Sequence, residues 1–239
     1  FAMPALTLTD LIWTRQDGRG QPSLHDRAFV MDGHIHTITR QLLEQLDFGD
    51  RYPDGHVDLP RIKAGGLNAL FFSVYTPEPY YIGRHEVKNT FRVIELAREQ
   101  IEKNKAHIEL ALTASDIEAI NRKGKIAAFL DLEGGYDLDG DIHLLCALYR
   151  MGLRSMQLTA HNASNAFIDS CYGARLWGGI NAHGRKIVSE MNRLGMLVNV
   201  AHASDEAIIQ VAEVSEHPVI YSHGGFRSIV ANLRCITDE

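Results

Sequence analysis

The sequence is poor in cysteine. It carries three, Cys146, Cys171 and Cys235, odd in number, far apart and without a Cys-x-x-Cys spacing. That argues against a disulfide framework or a thiolate zinc site, and fits a reducing compartment. Long apolar runs are missing too: none approaches the roughly 20 residues that a membrane helix needs. Basic residues are outnumbered, 24 against 30 acidic, and the charges are interspersed for a net of −6, so no basic stripe speaks for nucleic acid. There is no internal repeat and no low-complexity segment. No serine or cysteine sits in a nucleophile elbow. The glycine pairs of "LEGG" and "SHGG" lack the strand-to-helix G-x-G-x-x-G context of a phosphate loop. An initial methionine is also lacking, since residue 1 is Phe, which leaves room for a removed signal peptide.

What the chain does have is 45% hydrophobic residues within 239, enough for one large core and compatible with one large domain or two small ones. Its clearest surplus is histidine, at 12. The first 25 residues, with "QDGRGQPS", read as an N-terminal extension, and 26–239 as the folded domain. From there strand-like and helix-like segments alternate. Six buried strands are expected at about 28–34, 67–75, 126–132, 153–160, 196–202 and 218–223, with "HIELAL" as a short additional candidate. The helical patterns are "TITRQLLEQL", roughly 87–105, "SDIEAINRKG", "IHLLCALYRMG", "GRKIVSEMNRLG" and "DEAIIQVAEVSEH". Ser115 with Glu118 reads as a capping box, Gly195 as a C-terminal stop and Ser204 as an N-cap.

Apolar strands alternating with helices imply a parallel sheet, as an open doubly wound sheet or as a (β/α)8 barrel. The polar residues decide. His34, Glu133, His161, His202 and His223 each close a different strand. In a barrel those ends converge on one mouth, whereas an open sheet would spread them across its width. The expectation is therefore an α/β TIM barrel of the metal-dependent hydrolase type. The long stretch 162–183 after a strand end is either a lid or a long connection.

"MDGHIHT" places His34 and His36 on one face if the strand continues through both. Alone, such a pair is more often one buried and one solvated histidine. "LEGG" puts a carboxylate, able to give one oxygen to each of two cations, where glycines let the backbone turn. "NVAH" and "IYSH" repeat an apolar strand ending in histidine. Jointly these residues indicate a metal site of neutral imidazoles and one carboxylate.

In order and context, "DGHIHT", "LEGG", "MQLTAHN", "MNRLGMLVNVAHAS" and "PVIYSHGGFRSIVANLRCITDE" resemble the membrane (renal) dipeptidase family of amidohydrolase-like barrels. The resemblance, from about Phe29 to Glu239, implies a binuclear zinc site, other divalent metals remaining open. His34 and His36 would hold one ion, His202 and His223 the other, and Glu133 would bridge them. His161 would face the substrate and Arg234 would bind it, with Arg227 structural or supporting. Where the family has His-x-Asp, this chain has His34-Ile35-His36, which makes the first site more positive by one unit. The expected activity is hydrolysis of dipeptides by metal-activated water, with Glu133 and His161 catalytic. The alternatives are another small amide, lactam or ester on the same metals, or a non-catalytic binding barrel. A dipeptide-like ligand is expected, without nucleic acid or a transmembrane segment, and a homodimer is left open. The localisation expected is that of a bacterial-type soluble protein, cytoplasmic or exported. Six strands are two short of a closed barrel, so two further βα units, about 100 residues with the tail, are expected beyond Glu239.

Overall fold

The computed structural model describes residues 23–76, 86–138, 140–159 and 163–238, without the side chains of 40–43 and 137. Six parallel strands are laid down in chain order: β1 (Met31–Ile35), β2 (Ala69–Tyr75), β3 (Ile108–Leu110), β4 (Ile126–Glu133), β5 (Leu153–Gln157) and β6 (Leu197–Asn199). The helices between them are α1 (Leu24–Arg27), α2 (Thr37–Glu44), α3 (Leu59–Gly65), α4 (Glu86–Lys103), α5 (Ala114–Arg122), α6 (Ile142–Arg150), α7 (Ala182–Leu194) and α8 (Asp205–Val214). The sheet runs β1-β2-β4-β5-β6. β2 lies along one edge of β4, and the opposite edge is shared, its first residues pairing with β3 and its last with β5.

The sheet curls. Flat, five steps of about 4.8 Å would hold β1 and the segment beyond β6 about 24 Å apart. Instead the rings of His34 and His223 stack with centroids 3.6 Å apart. A Cβ on Gly33 would lie 2.8 Å from the Ser222 carbonyl oxygen, so only glycine lets these backbones approach so closely. That contact rules out the flat, open alternative. The main core fills the space between the outer sheet face, with Leu70, Phe72, Val74, Ala128, Leu130, Leu132 and Met156, and the helices. From them α4 contributes Val93, Ile94 and Ala97, α6 contributes Leu145 and Leu148, and α7 contributes Ile187, Val188 and Met191. The inner face is apolar low down, where Phe71 stacks on Phe129, and polar towards the strand C-termini.

Several expectations need correction. The segment 218–223 is not a regular strand. Pro218 offers no N–H, and pairing with β6 is confined to Val200 donating to the Ile220 carbonyl and Ile220 donating to that of Val198. β3 is a full member of the sheet. α5 starts two residues earlier than expected: its capping box is Thr113 with Asp116, not Ser115 with Glu118, and Asp116 reaches back to the N–H groups of Leu112 and Thr113. The sequence reading missed α3, which is set by its Asp58 N-cap and stops at left-handed Gly66. Gly195 and Ser204 cap α7 and α8 as expected.

Candidate metal centre

β1 ends at Ile35, and His36 is the N-cap residue of α2. The two imidazoles therefore converge through a strand-to-helix turn, not through strand alternation. Their Nε2 atoms are 2.9 Å apart. Glu133 is the last residue of β4, and Gly134 follows it with φ +98°. Its carboxylate is buried and divides between two sets of rings. Oε2 faces His36 Nε2 at 2.8 Å and His34 Nε2 at 3.5 Å, while Oε1 faces His202 Nε2 at 3.2 Å. His202 and His223 meet Nε2 to Nε2 at 3.0 Å. His202 holds φ +69°, a strained conformation for a residue with a Cβ, where the chain turns back after β6.

Two groups thus form, His34 with His36 and Glu133, and Glu133 with His202 and His223, the donor atoms of each group lying within 4.8 Å of one another. Neutral imidazoles nose to nose can share only one proton per pair. Glu133 Oε2 is buried yet accepts no well-aligned hydrogen bond. Donors bound tetrahedrally to one zinc at about 2.0 Å sit about 3.3 Å apart, close to the spacings found here. The residues fit two divalent ions sharing one carboxylate.

Charge states agree. Burial, with Arg234 and the neighbouring histidines on its side and Glu133 opposing, lowers His34 to about 4 and His223 to about 2. Burial alone would raise Glu133, but the imidazoles of His202 and His36 outweigh it and hold the carboxyl well below the usual range. Neutral rings and an ionised carboxylate are the forms that bind a cation. The same shifts predict an acid-labile metal-free protein. Unfolded, both histidines take up protons below pH ~6.5; folded, they resist until about pH 4 or lower, so stability falls as pH drops. Asp131, which burial raises to about 6, acts in the opposite sense over much of that window. The two histidines, joined near pH 4 by Glu133, outweigh it, so the net is a loss of stability as pH falls from 6.5 to 4. Melting curves of chelator-treated protein should show Tm falling over that range; a flat or rising Tm would contradict the assignment.

Arg234 lies beside this centre. Its guanidinium donates to the Tyr221 hydroxyl at 2.6 Å and to the His223 carbonyl at 2.8 Å, and its charge helps lower both His34 and His223. Arg227 instead forms a bidentate pair with Asp205 at 2.6 and 2.8 Å and donates to the Cys235 carbonyl, tying α8 to the last segment. That is a structural role. His161 lies outside the described residues. The described part of 162–183 is pinned down: Asp169 accepts from the N–H groups of Leu176, Trp177 and Gly179, and Phe167 and Ile168 enter the core. A cleft of about 380 Å³ opens on the first group, lined by Asp32, His34, His36, Tyr52, Asp54 and His56. A roomier groove of about 640 Å³ between α4 and β3 lies at the far end of β4 from Glu133, lined largely by solvated charges, and has none of this chemistry.

Residues 20–239 match the family described as membrane dipeptidase, peptidase family M19. The chain belongs to that family. Among curated relatives, Dipeptidase tcpJ of Claviceps purpurea is 33% identical over 224 residues, 87% of this chain and 52% of its own length. Dipeptidase 3 of Mus musculus is 34% identical over 235 residues, 91% of this chain and 46% of its own length. The chain thus spans about half the length of these relatives. A Rhodobacter sphaeroides metallopeptidase, solved with a phosphinate mimic of the dipeptide L-Ala-D-Ala, superposes with a TM-score of 0.78 at 20% identity, over 88% of this chain and 69% of that one. The probable dipeptidase PvdM from Pseudomonas aeruginosa gives 0.77 at 20% identity, over 90% and 57%. Both share this chain's fold over the superposed part. Among the described residues, no helix is long and apolar enough to cross a membrane.

Proposed function

We propose that this M19 chain carries the metal centre of a binuclear zinc dipeptidase. The observation that supports it most is Glu133, a buried carboxylate whose two oxygens face different histidine sets. His34 and His36 would hold one ion and His202 and His223 the other. When bound, two such ions supply a water acidified to near-neutral pKa and an electrophile for the scissile carbonyl. The chain's own residues do the rest. The four imidazoles would bind as neutral rings, and Glu133 would fix the spacing of the two sets. Arg234, braced by Tyr221 and the His223 carbonyl, still has N–H groups to offer a terminal carboxylate. His161 takes the substrate-facing role by family resemblance. The cleft beside His36 is of the size that small ligands use.

The test is a panel of dipeptides, with other small amides, lactams and esters, assayed on the full chain with and without zinc. Zinc-dependent cleavage of dipeptides with free termini is expected. A zinc-loaded protein inert to dipeptides but active on another amide would move the substrate, and failure to hold metal would leave only a binding barrel.

His36→Asp would restore the family's anionic ligand. It should keep two ions, since carboxylate and imidazole bind zinc at similar lengths of about 2.0–2.2 Å. Its kcat/KM profile should move to higher pH, because a more negative site acidifies water less. An unchanged profile would show that His36 does not set the charge at the centre.

A further inference from the structure

Beneath the histidines lies a polar layer that no ligand assignment uses. Its centre is Asp131, fully buried on the inner face of β4, two residues before Glu133. One arm leaves through Gln157 on β5, whose Nε2 donates to Asp131 Oδ2 at 2.6 Å and lies 3.2 Å from His34 Nδ1. Ser73 Oγ on β2 is 2.7 Å from the same Nδ1. The other arm leaves through Asn199 on β6. Its Nδ2 lies 3.5 Å from Asp131 Oδ1 and donates to Ser222 Oγ at 2.8 Å, and that hydroxyl is 3.0 Å from His223 Nδ1. Every contact falls on the Nδ1 side of the rings, leaving Nε2 to the centre.

We propose that Asp131 is a positioning residue shared by both metal sites: Gln157, anchored on it, packs its amide against the Nδ1 edge of His34, and Asn199 carries Ser222, whose hydroxyl meets His223 Nδ1. The proposal rests on the binuclear reading above. A histidine that ligates through Nε2 must carry its proton on Nδ1, and whatever accepts that proton fixes the tautomer and the ring's direction. Here the acceptors are the Ser73 and Ser222 hydroxyls; Asp131 acts on the second through Asn199, and on His34 by fixing the Gln157 amide that packs beside its Nδ1 without accepting the proton. The stacking of His34 on His223 makes alignment matter twice, since a tilt of either ring moves the other. Charge points the same way. The ligand set of four neutral imidazoles and Glu133 carries a single negative charge for two dications. Asp131 adds a second from one layer below, where its partners are neutral amides. A buried carboxylate so placed costs stability in the empty protein and is offset by cations above it.

The experiment measures stepwise Zn²⁺ affinity by competition with a chelator, the visible spectrum of the Co²⁺-loaded protein, and a thermal melt. The full chain is compared with Asp131→Asn, Gln157→Leu and Ser222→Ala. Asp131→Asn should stay folded yet bind both ions about 10- to 100-fold more weakly, the range for loss of a group that orients a ligand, with a changed cobalt spectrum. Gln157→Leu should weaken one step and Ser222→Ala the other. If Asp131→Asn binds both ions as tightly as the wild type, the proposal is wrong. If that variant does not fold, the two arm variants decide: one weakened step each supports the proposal, and no weakening in either overturns it. A wild type that binds no metal would fail the binuclear reading itself, a result visible before any variant is made.

Discussion

Glu133→Ala is expected to empty both metal sites and to lower dipeptide hydrolysis by more than about 10³-fold. The loss should exceed the roughly 10²–10³ that one missing oxyanion donor costs, because a single carboxylate serves both histidine sets. Losing one ring leaves the other site's donors untouched; losing Glu133 leaves each site with two neutral imidazoles and no anion. Equilibrium dialysis against zinc, with initial rates on the same samples, measures both effects. Glu133 is buried, so alanine also leaves a cavity. Glu133→Gln keeps the shape and one acceptor oxygen, and separates loss of fold from loss of the bridge: it should melt like the wild type and still fail to hold two ions. Retention of two ions by folded Glu133→Gln would show that the carboxylate does not bridge.

Arg234→Ala should weaken kcat/KM for dipeptides with a free terminal carboxylate by about 1.5–3 kcal/mol, or roughly 10- to 150-fold. Amidated analogues should lose far less, since they have no charge for the guanidinium to meet. The arginine is already aimed, its place fixed by the Tyr221 hydroxyl and the His223 carbonyl, so little ordering cost falls on binding. Arg234→Lys should recover only part of the loss, because an ammonium cannot make the two-pronged contact. Equal losses for acid and amide substrates would make Arg234 a brace for the segment after His223 and nothing more.

The strands that position the centre were legible because a parallel strand buried on both faces is a near-continuous apolar run. "LNALFFSVY" and "KIAAFLDLE" could hardly be anything else. Their terminal Glu133, His202 and His223 stood out as polar residues where such a run stops. Less was legible where the backbone departs from a simple period. His36 meets His34 through a helix N-cap that alternation does not describe. β3, three residues long, shows in "HIELAL" only as a short candidate outside the six expected strands. The segment 218–223 has strand composition but pairs with β6 only around Ile220. α3 is hidden because proline and glycine crowd its seven residues. The supporting layer left a faint trace. Ser73, Asp131, Gln157 and Asn199 are polar residues inside buried strands, Ser73 in register with Asp131, and Gln157 with Asn199 one level up beside Glu133. A reading that looked only at strand ends passed over them. Their meaning comes from pairing across strands, which one strand's sequence does not contain.

The most direct test of the account is a count of ions. Native mass spectrometry of the purified full chain, saturated with zinc and freed of loosely bound metal, reads the number held per chain. The account predicts two. One ion, or none, would contradict a centre in which Glu133 joins the histidines of "GHIH" to His202 and His223.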